Sequence, residues 1–130
     1  KISAIAFSQD PDGKDYRPAA SFAQRLAKQV LAKGLPKGVC LNVNFPAIPG
    51  KSYGTGVAAK LGRRIYGTTL TRRQDPRGLE YYWLAGNQVS GVDEPGTDVA
   101  AVSRGKASVT PLKIDNTDMG TLADLSSWRL

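Results

Sequence analysis

Six basic side chains crowd into 18 residues: Lys60, Arg63, Arg64, Arg72, Arg73 and Arg77, with Asp75 the one acid among them. Guanidinium forks match phosphate oxygens two at a time. The neighbouring Tyr81, Tyr82 and Trp83 offer flat faces on which bases stack. The pattern suits an arm that draws in phosphate-bearing substrates or RNA. It equally suits a charged β-arm whose arginines meet carboxylates of a partner subunit, because exposed strands carry charge against edge-to-edge aggregation. Ser8 ends the first apolar stretch. Ligands of open α/β sheets bind outside the carboxyl ends of strands, which makes Ser8 a candidate wall residue of a site. A serine there also serves simply to satisfy backbone groups as a strand ends.

The other chemistry-bearing types are sparse. Histidine is absent, which removes a Ser-His-Asp triad and any His-based zinc site built from this chain alone. Asp93-Glu94 is the one adjacent acid pair, of the kind that holds Mg²⁺ or Mn²⁺. It lies in SGVDEPG, which reads as a turn and not as a strand end. Asp10, Asp12 and Asp15 begin like a calcium loop, but Asp15 and Ser21 stand where that loop needs its Gly and its closing Glu. Cys40 lies mid-strand and reads as a buried, inert thiol. Gly54 and Gly56 follow no strand and open no helix, so they make no phosphate loop. No catalytic residue and no metal ligand is assigned to this chain.

These groups must be positioned by a chain of 130 residues, the length of one ordinary domain. Its 41% hydrophobic and 22% charged residues describe a globular protein, not a disordered one. No apolar run approaches the ~18 residues of a membrane span, and the N-terminus lacks the core of a signal peptide. A single cysteine excludes an intrachain disulfide and suits a reducing, cytoplasmic setting. The net charge of +7 favours anionic partners.

Residues 2–8 are apolar on both faces, as in a strand inside a covered parallel sheet. Such a strand needs neighbours on both edges. After a loop from Gln9, a helix starts at Pro18 and carries Ala19, Phe22, Ala23, Leu26, Val30 and Leu31 along one face, stopping at Gly34. Residues 38–46 alternate as a second strand with Val39, Leu41, Val43 and Phe45 on its apolar face. The first 46 residues thus predict a βαβ piece, too small to fold alone. Residues 47–56 read as linker. Strands at 57–66 and 79–85, joined by a polar stretch from Thr68 to Gly78, predict a long hairpin, followed by a loop from Asn87 to Gly96. Thr97 caps a short helix that ends at Gly105, and residues 107–112 form a strand with Pro111 near its end or on a sheet edge. Asn116 or Thr117 opens a terminal helix with Met119, Leu122, Leu125 and Trp128 in one stripe.

The phrases AIAFSQ, LPKGVCLNVNFP, KLGRRIYG, DPRGLEYYWLAGN and EPGTDVAAVSRGKASVTPLKID occur in that order, followed by a helix ending at Trp128. Across essentially all 130 residues the chain resembles the C-terminal half of the SurE family, phosphatases of nucleoside 5′- and 3′-monophosphates. The resemblance implies an α/β fold: the end of a Rossmann-like core over 1–46, a linker and protruding β-hairpin arm over 47–96, and an assembly segment over 97–130. It implies a dimer or tetramer with exchanged C-terminal elements, and a phosphomonoesterase dependent on a divalent metal, Mg or Mn. The family's N-D-D-G and S-G-x-N-x-G motifs do not occur here, so no metal ligand carries over. The expectation is that the missing neighbours of residues 2–8 and the metal site belong to an N-terminal half ahead of Lys1. This chain alone is then expected to be inactive, supplying sheet completion and oligomerisation. Ser8 and the arginines Arg63, Arg64, Arg72, Arg73 and Arg77 remain the candidate contributions to a site. Two other readings stay open: a stand-alone basic module that binds RNA or a protein, and a purely structural, domain-swapped oligomerisation fragment.

Overall fold

The alternating stretch 39–45 builds the centre of the fold. In the computed structural model, which describes residues 2–48, 52–65, 69–84 and 90–128, it forms strand β2 (Val39–Phe45). Successive side chains of a strand point to opposite faces. Leu41, Val43 and Phe45 accordingly enter the interior, while Cys40, Asn42 and Asn44 are half-buried on the other face. Strand β1 (Ile5–Gln9) lies parallel to β2, in register from Ile5 opposite Leu41 to Gln9 opposite Phe45.

Parallel strands need a crossover, and helix α1 (Arg17–Lys33) supplies it. Pro18 sits in its first turn. Gly34, at φ 75°, ends it by donating its N–H to the Val30 carbonyl at 2.8 Å, in a conformation that only glycine adopts freely. α1 buries Ala19, Phe22 and Val30. Phe22 meets Phe45 edge to face with ring centroids 5.4 Å apart, and Tyr53, from the loop after β2, tilts against Phe45 at 4.8 Å. Aromatic pairs of this geometry add to the area they bury. Leu31, expected on the apolar stripe, is instead 86% exposed: Val30 takes the inward position, and one residue on the helix has turned away.

The chain then returns to the same sheet. Strands β3 (Val57–Ala58) and β8 (Ser108–Lys113) complete the order β1-β2-β8-β3, with β8 antiparallel to β2 and parallel to β3. Pro111 therefore sits inside a central strand, opposite Leu41. Val57 and Ala59 donate to the carbonyls of Ala107 and Val109, so the odd-numbered residues of β8 turn their backbone groups toward β3. The next donor on that side would be residue 111, a proline without an N–H. The β3 ladder stops there, and the proline costs no bond to β2.

The expected strand at 57–66 divides into β3 and β4 (Arg64–Ile65), which belong to different sheets. β4 pairs with β7 (Ser90–Gly91), inside a stretch expected to be loop. The hairpin is formed by β5 (Leu70–Gln74) and β6 (Glu80–Leu84), so its first strand lies within the expected polar connection. Asp75 closes the turn by accepting from the N–H groups of Arg77 and Leu79, both at 2.8 Å. Tyr66, Thr68, Ala85 and Asn87, where several sequence-based boundaries fell, lie outside the described residues.

Helix α2 (Asp98–Ser103) starts at Thr97 as its sequence predicts, the Thr97 hydroxyl oxygen accepting from the Ala100 N–H at 3.1 Å. Helix α3 (Met119–Leu125) starts later than expected. Asp118 is its cap, accepting from Gly120 and Thr121, both at 3.0 Å, where Asn116 or Thr117 was the expectation. Its Met119 and Leu122, and Trp128 beyond it, are exposed. β1 has a neighbour on one edge only among the described residues. It stands at the border of the sheet with Phe7 41% exposed, although its composition is that of an interior strand.

Candidate functional site

Strands β1 and β2 are parallel and end together, so their carboxyl ends open at one border of the sheet. A cleft of about 510 Å³ lies there. Ser8, Gln9 and Asp10 line it from the end of β1, and Asn44 from β2. Arg64 of β4, Gly91 of β7, and Asp98, Val99 and Ser103 of α2 face them.

Two glycines allow β4 and β7 to lie close to α2. A Cβ on Gly91 would come within 2.3 Å of Val99 Cγ1, and one on Gly62 within 2.7 Å of both Asp98 Oδ1 and a Val99 methyl. The Asp98 carboxylate locks this contact: Oδ1 accepts from the Gly62 N–H at 2.7 Å and from the Val99 N–H at 2.8 Å. Lys60 adds a backbone bridge, donating to the Gly96 carbonyl and accepting from the Asp98 N–H, each at 3.0 Å. Arg64 follows directly on this braced segment and is thereby held at the cleft.

The floor continues a polar row across the sheet. Ser8 pairs in register with Asn44, and Asn44 with Ser108. Ser108 and Thr110 are fully buried, and their hydroxyl oxygens have no hydrogen-bond partner. Gln9 donates from Nε2 to the Gly13 carbonyl at 2.5 Å, while its buried Oε1 has no partner. A smaller cavity of about 260 Å³ lies between the loop after β1 and Tyr53. Burial pushes the Tyr53 hydroxyl above the usual phenol range, and the charges of Asp10 and Asp15 push the same way.

Of the residues singled out from sequence, Ser8 and Arg64 are brought together at the cleft. Arg63 does not line it. Arg72 and Arg73 lie in β5 and Arg77 in the hairpin turn, and Arg72 pairs with Glu80. Asn44 and Asp98 escaped sequence reasoning. The alternation of β2 placed Asn44 on the face opposite the core, but only the pairing with β1 brings it beside Ser8.

Asp93 pairs with Arg104 at 3.1 Å, and Glu94 with Lys60. Asp10 accepts from the Asp12 N–H at 3.0 Å, and Asp15 from the Arg17 side chain at 2.9 Å. Among the described residues no three of His, Cys, Asp or Glu converge as metal ligands do. The described carboxylates thus form no cluster of the kind a divalent cation needs.

The model of the family described as "Survival protein SurE" matches residues 1–68. The chain belongs to the SurE family. It is 44% identical over 127 residues to 5′-nucleotidase SurE of Geobacter sulfurreducens, covering 98% of this chain and 48% of that protein. It is 45% identical over 130 residues to 5′-nucleotidase SurE of Symbiobacterium thermophilum, covering 99% and 51%. The crystal structure of the SurE protein from Aquifex aeolicus superposes with a TM-score of 0.69 at 30% identity, covering 97% of this chain and 52% of that one. The chain spans about half the length of the curated SurE relatives it matches. Its α/β fold is Rossmann-like, as in that neighbour, and no helix among the described residues is long and apolar enough to cross a membrane.

Proposed function

We propose that this chain is the portion of a SurE nucleotidase that walls its substrate cleft and carries its assembly surfaces. The whole protein hydrolyses the phosphate ester of nucleoside 5′- or 3′-monophosphates with a divalent cation, Mg²⁺ or Mn²⁺. The observation that carries this reading is the cleft at the joint carboxyl end of β1 and β2, where open α/β sheets bind ligands, in a chain of this family. The cation would polarise the phosphoryl oxygens and activate water. Its ligands come from outside this chain: of the described carboxylates, Asp15, Glu94 and Asp93 pair with Arg17, Lys60 and Arg104, and Asp98 accepts from backbone N–H groups.

What these residues do is bind and exclude. Ser8 and Asn44 offer neutral hydrogen-bonding groups at the floor, α2 closes one side against water, and Arg64 brings a positive charge. The free edge of β1 and its half-exposed Phe7 are covered by the rest of the SurE fold. Exposed Leu122 and Trp128 with α3, and Tyr82 and Trp83 on the hairpin, support subunit assembly in a cytoplasmic dimer or tetramer.

The test is release of inorganic phosphate from 5′-AMP and 3′-AMP by the protein expressed from its complete reading frame, with and without Mn²⁺. Metal-dependent release is expected, and none from the 130-residue chain alone. Turnover by the isolated chain at the full rate would refute the division of labour. Sedimentation of the complete protein as a monomer would refute the assembly role.

A further inference from the structure

The basic cluster divides in space, and one member stands apart. Arg64 is the guanidinium at the cleft, whereas Arg72 and Arg73 lie on the hairpin. The ion pairs among the described residues are Arg17–Asp15, Lys60–Glu94, Arg72–Glu80 and Arg104–Asp93, and none includes Arg64. The two acids that share its cleft, Asp10 and Asp98, form no ion pair with it. Asp98 accepts from the Gly62 and Val99 N–H groups, and Asp10 from the Asp12 N–H. Ser8 and Asn44, adjacent in register, are neutral. A guanidinium with no ion pair among the described residues, sharing a cleft with the neutral hydrogen-bonding groups of Ser8 and Asn44 while Asp98 and Asp10 are turned to backbone N–H groups, leaves its fork open to an anion with several acceptor oxygens.

We propose that Arg64 is a substrate-binding residue that takes two non-bridging oxygens of the phosphomonoester, and equally those of the inorganic phosphate product. Ser8 and Asn44 supply hydrogen bonds from the opposite wall. The position of Arg64 is set by the Gly62–Asp98 contact, since a carboxylate brace two residues before it fixes where the strand enters the cleft. This inference rests on the nucleotidase reading for its ligand, but its binding test does not require turnover.

The experiment uses the protein expressed from its complete reading frame, as wild type, Arg64→Ala, Arg64→Lys and Lys37→Ala. Lys37 is exposed just before β2, at the opposite end of that strand from the cleft, and controls for the lost charge. Calorimetric titration with inorganic phosphate reads binding, and steady-state hydrolysis of AMP reads KM and kcat. Arg64→Ala is expected to weaken phosphate about tenfold and to raise KM by a similar factor, the size of one charge-assisted bidentate contact. Arg64→Lys keeps the charge without the fork and recovers part of the affinity, and its thermal melt shows that the fold is kept. Lys37→Ala binds as wild type does. Phosphate binding by Arg64→Ala within twofold of wild type, no phosphate binding by wild type, or an equal loss in Lys37→Ala would each overturn the inference. A wild type that binds phosphate through Arg64 yet hydrolyses no nucleotide keeps the site and removes the nucleotidase reading. Hydrolysis with Arg64→Ala unimpaired does the reverse.

Discussion

Replacing Tyr53 by Phe removes a single oxygen from the core. The Tyr53 hydroxyl donates to the carbonyl of Pro46 at 2.8 Å, and both residues are buried. The ring that packs on Phe45 is kept, so the cost is one hydrogen bond and a carbonyl left without its donor, about 1–2 kcal/mol. In a domain of this size that lowers Tm by roughly 3–10 °C at neutral pH. Burial, and then the charges of Asp10 and Asp15, hold the Tyr53 hydroxyl above the usual phenol range. The unfolded chain therefore loses this proton first as the pH rises. The stability that Tyr53 contributes is whole below about pH 10 and is lost as the pH climbs through the raised folded value. Tyr53→Phe has no such loss, so the two melting temperatures should converge in alkali. The other four of the five tyrosines are common to both proteins and cancel in the difference. Equal Tm at pH 7, or a gap that widens above pH 10, would refute the reasoning.

Thr97→Ala removes the cap of α2 and the bond from its hydroxyl to the Glu94 carbonyl at 2.7 Å, and should cost about 1–2 kcal/mol, read as a fall in Tm. Gly91→Ala would bring a Cβ to 2.3 Å from Val99 Cγ1; overpacking of this kind costs about 1–3 kcal/mol, and the shift of α2 should lower phosphate affinity together with Tm. The N–H groups of Thr121 and Gly120 hold the Asp118 carboxyl below its usual range, so the cap of α3 is whole above the ordinary carboxylate pKa and is lost as the pH falls through the depressed value. The amide shifts of Gly120 and Thr121 should report that titration by NMR, and Asp118→Ala should abolish it.

Where one period and one terminator dominate, the sequence alone defines the element. Alternation over 39–45 and helical spacing ended by Gly34 locate β2 and α1, and Thr97 with Asp98 locates α2. What stayed hidden depends on contacts distant in sequence. β3, β4 and β7 have two residues each, too short to show a period; β3 exists by pairing with β8, and β4 and β7 lie where Gly62 and Gly91 let the chain press against Val99. β5 reads as a polar connection because Arg72 and Arg73 dominate it, and only pairing with Tyr82 and Tyr81 makes it a strand. The composition of residues 2–8 does indicate a strand with neighbours, yet it cannot say which chain segment provides them. The same division applies to the site. Ser8 is visible as the end of a strand, and Arg64 as one basic residue among six, but the cleft that joins them with Asn44 and Asp98 arises from five separate elements.

A crystal structure of the protein expressed from its complete reading frame, with AMP bound, bears on all of this at once. The expected result has the phosphate within hydrogen-bond distance of the Arg64 guanidinium, in the cleft beside Ser8 and Asn44, and the free edge of β1 paired with a further parallel strand. AMP bound away from that cleft, with β1 still bordering solvent, would contradict both the site and the fold context proposed for it.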